Sequence, residues 1–544
     1  MRIILWFLVC IMFLSCGAPK VDLLVYNATI YTVDSTFSIQ EAMAVDKGKI
    51  IALGKSVDLQ KQFDAKDKLD AQGKVILPGL IDAHAHFLGY GQSLQRVNLV
   101  GTKSWSEVVE RTKEFAKNHD DTWILGRGWD QNDWQDKAFP TNELLNQHFP
   151  DKPVFITRID GHAAIANDKA LQLAGVKSGD RLEGGEIVTK NGKLTGLLID
   201  NAVDLINKVV PSETPQQVCE SLLDAQKMCF AVGLTTIDDC GLDHEVVTLI
   251  DSLQRGGTLK MRLYVMLSDA PKNYDFLFKK GQIKTERLTV NGFKVYSDGA
   301  LGSRGACLIH PYSDQTNWNG FLLSSKAHFD SVANIIYKNN FQMCTHAIGD
   351  SSNRVILNIY AKYLKGKNNR RWRIEHAQVV DGGDFHLFGD NSVVPSVQPT
   401  HATSDMYWAG ERLGKARLKN AYAYRQLMQQ NGWLPLGTDF PVEDISPFKT
   451  FYAATIREDS KGWPDGGFQI ENALSREDAL RGMTIWAARS NFEEGEKGSL
   501  EKGKVADFIV IDRDLLKVDK GDILSTKVLK TFVNGEKVYD AGVK

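Results

Sequence analysis

Two histidines one residue apart, His84 and His86, end the apolar run "GKVILPGLIDAHAHF" in a chain that holds 12 histidines. The Val, Ile and Leu residues that follow a turn at Gly73 predict a short buried strand. Side chains alternate along a strand, so Asp82, His84 and His86 share one face. Two imidazoles on one face can bring their nitrogens to about 2 Å from a common metal ion. A lone His-x-His is equally compatible with two half-exposed strand residues. A metal site therefore needs further ligands from other segments.

Such residues stand at the ends of other apolar runs. Lys294 and then Asp298 lie in "LTVNGFKVYSDG", His346 in "FQMCTHAIGD", Glu375 and His376 in "RWRIEHAQ", and Asp439 in "WLPLGTDFP". A mixture of imidazole and carboxylate suits Zn²⁺ and related divalent ions. Singly, each has an ordinary explanation: a core histidine, a turn-forming Asp before Phe-Pro, a snorkelling lysine. Their shared position at strand ends carries the metal reading.

The elements that must place these residues follow from the same runs. Eight candidate strands are "GLIDAHAH" and residues 234–241, 261–267, 288–299, 341–350, 371–378, 392–401 and 433–441. Helix-like segments such as "TPQQVCESLLDAQKMCFAVG" fill several of the gaps. The pattern predicts an α/β chain folded as a (β/α)8 TIM barrel, whose C-terminal strand ends form the active face. The gap between the first two strands is too long for a simple crossover, so residues from about 89 to 201 are expected to form an insertion over the mouth. Residues 21–76 and 491–544 read as short strands with turns at Asp46-Lys47-Gly48 and Asn534-Gly535. They predict one small β-sandwich built from both termini, with the barrel occupying 77–490.

The length of 544 residues fits one large domain plus a smaller one. With 43% hydrophobic residues, 24% charged and a net charge of -2, the chain can bury a large core, and it shows no long block of like charge. Nucleic acid is therefore not expected as a partner. The start, "MRIILWFLVCIMFLSCGAPK", has an apolar run too short to span a bilayer comfortably and resembles a signal peptide. Phe13-Leu14-Ser15-Cys16 resembles a bacterial lipobox, which predicts residues 1–16 as a lipoprotein signal and Cys16 as a lipidated anchor. The expected location is membrane-anchored, periplasmic or cell-surface, with plain secretion as the alternative. The five remaining cysteines are widely spaced and odd in number, and are expected to be buried free thiols.

Several blocks together resemble the amidohydrolase superfamily, in particular the amidohydrolase-3 group with its N-substituted formamide deformylase-like proteins. They are "PGLIDAHAH", "GRGWDQNDW", "FPTNELLNQHFPDKPVFITRIDGHAAIANDKAL", "GFKVYSDGALGSRGA", "THAIGD", "RIEHAQ", "LGTDFPV" and "GSLEKGKVADFIVID". The resemblance covers nearly the whole mature chain. It implies that His84, His86 and Asp439 hold one metal and that His346 and His376 hold a second. Lys294 would bridge them as a carbamate formed with CO₂. With Lys294 unmodified, a single metal is expected and Asp298 becomes a rival contributor. Zinc is favoured, and iron or manganese would fit nearly as well.

The expected reaction is hydrolysis of a C–N bond, in an amide or formamide of a small organic substrate, with Asp439 as general base and then acid. His162, in "DGHAAIAN", is a candidate catalytic or substrate-binding group in the insertion. Arg304, in "GSRGA", could meet a substrate carboxylate or fix its loop by an ion pair. Trp129 and Trp134 could line a pocket or form the insertion's core. The remaining histidines are assigned no role; His401, just after strand seven, is the first of them that a metal site would draw in. A lactonase or isomerase on the same site, or an exported solute-binding lipoprotein, are the other readings. A homo-oligomer is compatible with all of them.

Overall fold

The computed structural model describes residues 18–118 and 122–542, so Cys16 and the segment before it lie outside the described residues. Among the described residues no helix is long and apolar enough to cross a membrane. The centre is a curved parallel sheet of seven strands: Leu80–Ala85, Leu234–Leu242, Arg262–Ser268, Leu288–Tyr296, Gln342–Ala347, Arg373–His376 and Val394–Ser396. Each pairs in parallel with the next. Buried Ile237, Val265, Val290, Met343 and Ile374 from successive strands belong to one core.

The expected eighth strand is reduced to a single parallel bridge, Val397 with Leu436. The segment still closes the ring, because Gly437 N donates to Val397 O at 3.0 Å and Ala83 N donates to Leu436 O at 3.2 Å. Pro435 has no N–H to offer a ladder. Asp439 turns the chain out of the sheet at φ 64°. Gly437 is required by close approach, since a Cβ there would stand 2.6 Å from His84 N and 2.8 Å from Asp82 Oδ1.

The helices follow from ordinary signals. Pro215–Ala231 starts at Thr214, whose side chain and that of Gln217 form a reciprocal capping box. The insertion forms its own six-stranded sheet, with strands between Val97 and Asp200. Its strands alternate: Ile156 and Ile165 face one apolar cluster, Phe155 and Ala164 the other. Trp129 and Trp134 belong to the first cluster, with indole N–H groups donating to Ile156 O at 3.1 Å and Thr102 O at 3.0 Å. They are core residues of the insertion, not a pocket lining.

Two further sheets come from the chain ends. One joins Lys49–Gly54, Ala42–Asp46, Lys20–Tyr26 and Asp64–Asp70. The other mixes both termini, with Phe508–Ile511 paired between Val528–Val533 and Val75–Pro78. Val25, Met43, Ile76, Phe508 and Phe532 form a core between them, and Asn534-Gly535 turns a hairpin as its sequence suggests. This layer anchors the barrel: Val75–Pro78 runs straight into the first barrel strand, and Gly79 N donates to Asp507 O at 2.9 Å. A buried ion pair of 2.6 Å joins Asp507 to Arg262 on the third barrel strand. The cysteines at 219, 229, 240, 307 and 344 are free, three of them buried and two partly so.

Candidate metal centre

The first barrel strand delivers three polar residues with different tasks. Asp82 accepts from Thr438 N at 3.0 Å and from Thr438 Oγ1 at 2.7 Å, so its carboxylate clamps the eighth segment to the first strand. His84 is fully buried, and its Nδ1 lies 2.5 Å from Glu375 Oε2. His86, just past the strand end, places Nδ1 3.0 Å from Cys240 O. On the sixth strand, His376 Nδ1 lies 2.7 Å from Gln398 Oε1. With carboxylate, carbonyl and amide oxygens as acceptors, each imidazole carries its proton on Nδ1 and leaves Nε2 as a free lone pair.

Those free nitrogens converge on Asp439. Its Oδ1 is 3.2 Å from His86 Nε2 and 3.6 Å from His84 Nε2. Its Oδ2 is 3.6 Å from the Nε2 of His401. Lys294 is 1% exposed, with Nζ 3.1 Å from His84 Nε2 and above the Tyr296 ring. Among the described residues no carboxylate lies within ion-pair distance of it. The His346 ring sits between His376 and His162, with centroids 4.6 and 5.1 Å away. Asp298 accepts from the amides of Cys307, Ile348 and Gly349 at 2.8 to 3.0 Å. That makes it an anchor for two loops, although its Oδ1 is 3.7 Å from His346 Nε2.

Burial sets the protonation states. It pushes His84 down to about 4, helped by the neighbouring Lys294. His346 and His376 fall well below the usual imidazole range, by burial first and then by surrounding cationic groups. Burial would raise Asp439, but its close contact with His86 and the nearby His84 and His376 hold it well below the usual carboxylate range. The same contest leaves Glu375 at about 2, with His84 and Arg373 outweighing its burial. At neutral pH His84, His346 and His376 are therefore neutral imidazoles, and Asp439 is an ionised carboxylate.

This donor set fits a divalent cation. The ligand atoms of His84, His86 and Asp439 lie within 4.8 Å of one another, as do those of His376, His401 and Asp439. His346 Nε2, His401 Nε2 and Asp439 Oδ1 are buried without a hydrogen-bond partner. Unsatisfied buried atoms cost about 1–3 kcal/mol each, and bound cations would relieve that cost.

Two contributors had weak sequence signals. His401 belongs to the helix Pro399–Asp405, where its ring stacks on His376 at 5.8 Å; its signal is its position directly after strand seven. Asp200 holds His162 Nδ1 at 2.7 Å across the end of the insertion sheet. Its carboxylate fits against Gly299 and Gly305, where added Cβ atoms would stand 2.5 and 2.3 Å from its oxygens. The cavity above the cluster measures about 950 Å³, with His86, His162, Lys294, His346, His401 and Asp439 in its wall. Arg304 is not in that wall. It pairs with Asp314 at 2.9 Å, which corrects the substrate-contact expectation in favour of the loop ion pair.

A parallel β/α barrel whose C-terminal strand ends gather imidazoles, a carboxylate and a buried lysine is the architecture of a metal-dependent hydrolase. The chain belongs to the amidohydrolase family, whose model matches residues 67–539. It is 33% identical over 537 residues to the protein LONG AFTER FAR-RED 3 of Arabidopsis thaliana, covering 95% of this chain and 91% of that one. It is 25% identical over 542 residues to the N-substituted formamide deformylase of Arthrobacter pascens, covering 95% and 98%. A metal-dependent hydrolase from Pyrococcus horikoshii OT3 superposes with a TM-score of 0.75 at 29% identity, covering 92% of this chain and 99% of the other.

Proposed function

We propose that the protein hydrolyses a C–N bond, of the amide or formamide type, in a small organic molecule. The observation that carries this reading is the convergence of His84, His86, His401 and Asp439 at the floor of a cavity large enough for such a substrate. In this reading His84, His86 and Asp439 hold one divalent ion, zinc by preference, and His346 and His376 hold a second with His401 beside them. A carbamate on Lys294 would link the two, which suits a buried lysine that has no carboxylate partner among the described residues. When bound, divalent ions polarise a carbonyl and make water a stronger nucleophile at neutral pH.

The chain's own groups handle the protons. Asp439 takes a proton from the attacking water as the C–O bond forms. It returns that proton to the leaving nitrogen as the C–N bond breaks. Burial opposes a charge on His162, but the Asp200 carboxylate raises it above the ordinary imidazole range, so Nε2 can donate to the developing oxyanion. The insertion that carries His162 also contributes part of the cavity wall.

The test compares Asp439→Asn with the wild-type protein on panels of amides, formamides and lactones, with metal content measured in parallel. The expected outcome is turnover of amides or formamides by the wild type and a loss of at least about 100-fold in the variant. Turnover confined to lactones would overturn the C–N assignment, and full activity of the variant would remove Asp439 from the proton transfers.

A further inference from the structure

The cavity wall contributed by the insertion carries three arginines, of which Arg96 pairs with Glu213 at 3.4 Å and the other two have opposite circumstances. Arg158 is saturated: Asp130 and Asp160 both pair with it, and its Nε donates to Gln131 Oε1 at 2.8 Å. Arg127, on the strand Ile124–Trp129, donates one hydrogen bond, from Nη2 to Ile159 O at 2.7 Å. Its Nε is buried without a partner. Among the described residues no carboxylate is in ion-pair contact with it.

Asp160 is nearby but engaged, with Oδ2 on Arg158 and Oδ1 accepting from His162 N at 3.0 Å. Gly161, at φ 78°, leaves space over the guanidinium, since a Cβ there would come within 3.3 Å of Nη1. Burial pushes the guanidinium's pKa down while the charge of Asp439 opposes that shift, which sets Arg127 within electrostatic reach of the metal cluster. Arg127 is only half-buried, but its Nε is buried and unsatisfied, and a cation held so without a counter-ion among the described residues is a costly arrangement that a ligand's counter-charge relieves.

We propose that Arg127 is an anion subsite, and that the substrate is an amide carrying a free carboxylate away from the scissile bond. The substrate class rests on the C–N hydrolase reading; the anion subsite does not. The planar fork of donors suits a carboxylate held in two-point contact. Hydrogen bonding through Nη2 to Ile159 fixes the fork, and Nη1, which Gly161 leaves uncovered, is left for the ligand. The carboxylate then sets how far the substrate enters, and hence which carbonyl reaches Asp439 and His162.

The experiment uses the zinc-loaded protein in two parallel measurements. Calorimetry follows binding of pentanoate, which has no scissile bond, to the wild type, Arg127→Gln and Arg127→Lys. Kinetics compare 5-formamidopentanoate with its neutral counterpart N-pentylformamide. Pentanoate is expected to bind about 10- to 100-fold more weakly to Arg127→Gln, with Arg127→Lys in between. The preference for the acid over the neutral formamide should collapse towards unity, through KM more than kcat.

Equal pentanoate affinity in wild type and Arg127→Gln overturns the subsite, because the carboxylate then sits on the metal alone; formamide turnover in that case leaves the hydrolase standing. Arg127-dependent pentanoate binding without turnover of either formamide supports the subsite and overturns the formamide assignment instead. The lysine variant, with thermal unfolding of all three proteins, separates a lost contact from a misfolded chain.

Discussion

Glu375 offers a sharp test of how this cluster is held. Its Oε2 lies 2.5 Å from His84 Nδ1, both side chains are fully buried, and Arg373 stands 3.9 Å behind it. Replacing it with alanine removes a charge-assisted hydrogen bond of roughly 1.5–3 kcal/mol and strands a buried N–H. At about 1.4 kcal/mol per factor of ten, zinc affinity should fall roughly 10- to 100-fold. Glu375→Gln keeps an acceptor at the same place and loses the charge, about 1 kcal/mol, so its affinity should fall only about 5-fold. Arg373 keeps its 2.9 Å ion pair with Asp238 in either variant, so global unfolding should change less than metal affinity. Competition against a chromophoric zinc chelator, alongside urea unfolding of the metal-stripped proteins, measures the two effects separately. Wild-type affinity in Glu375→Ala would refute the reasoning, since His84 would then need no tether; a glutamine variant as tight as wild type would refute the charge component.

Two more outcomes follow from single contacts. Gly437→Ala should destabilise the fold by about 1–3 kcal/mol and lower zinc content, because its Cβ would meet His84 N at 2.6 Å; denaturant midpoint and metal analysis check both. Burial raises Asp405 from its ordinary 3.8 to about 7, so its contribution to stability is full below about pH 4 and lost as pH rises through about 7. Asp405→Asn can still accept from Tyr422 Oη and Gln378 Nε2, now 2.9 and 3.0 Å away. After discounting for solvent in the cavity, the variant should exceed wild type by about 2 kcal/mol at pH 8 and match it only below about pH 4. Unfolding curves at the two pH values decide it, and equal gains at both would exclude a titration origin.

What the sequence makes legible is what repeats locally. His84, His346, His376 and Asp439 each end an apolar run, and a parallel barrel carries all such ends to one rim. The period of two places His84 on the inner face of its strand, and the long gap after that strand announces an insertion. The eighth strand is harder, because Pro435, Gly437 and the positive φ of Asp439 replace ladder geometry with a bridge and a turn. Arg304 shows the opposite failure: a basic residue in a loop after a strand looks like a substrate contact until Asp314 is found beside it. Arg127 sits inside a family block, yet nothing in "GRGWDQNDW" distinguishes it from Arg158, which has two carboxylate partners.

The contacts that tune the site are invisible for a physical reason. The His84–Glu375 bond joins residues 291 positions apart, and the His162–Asp200 bond joins residues 38 apart across an inserted sheet. Position in a strand or loop does not announce either pairing, since each is specified by what faces it after folding. Ring closure and ligand placement are likewise one set of contacts. Asp82 holds Thr438, Gly437 lets the two backbones meet, and Asp439 N donates to His84 O at 2.7 Å. The bonds that complete the barrel therefore bring Asp439 onto His84 and His86. Those contacts hold Asp439 at φ 64°, a left-handed conformation that costs backbone strain, and the return is a carboxylate placed against two free imidazole nitrogens.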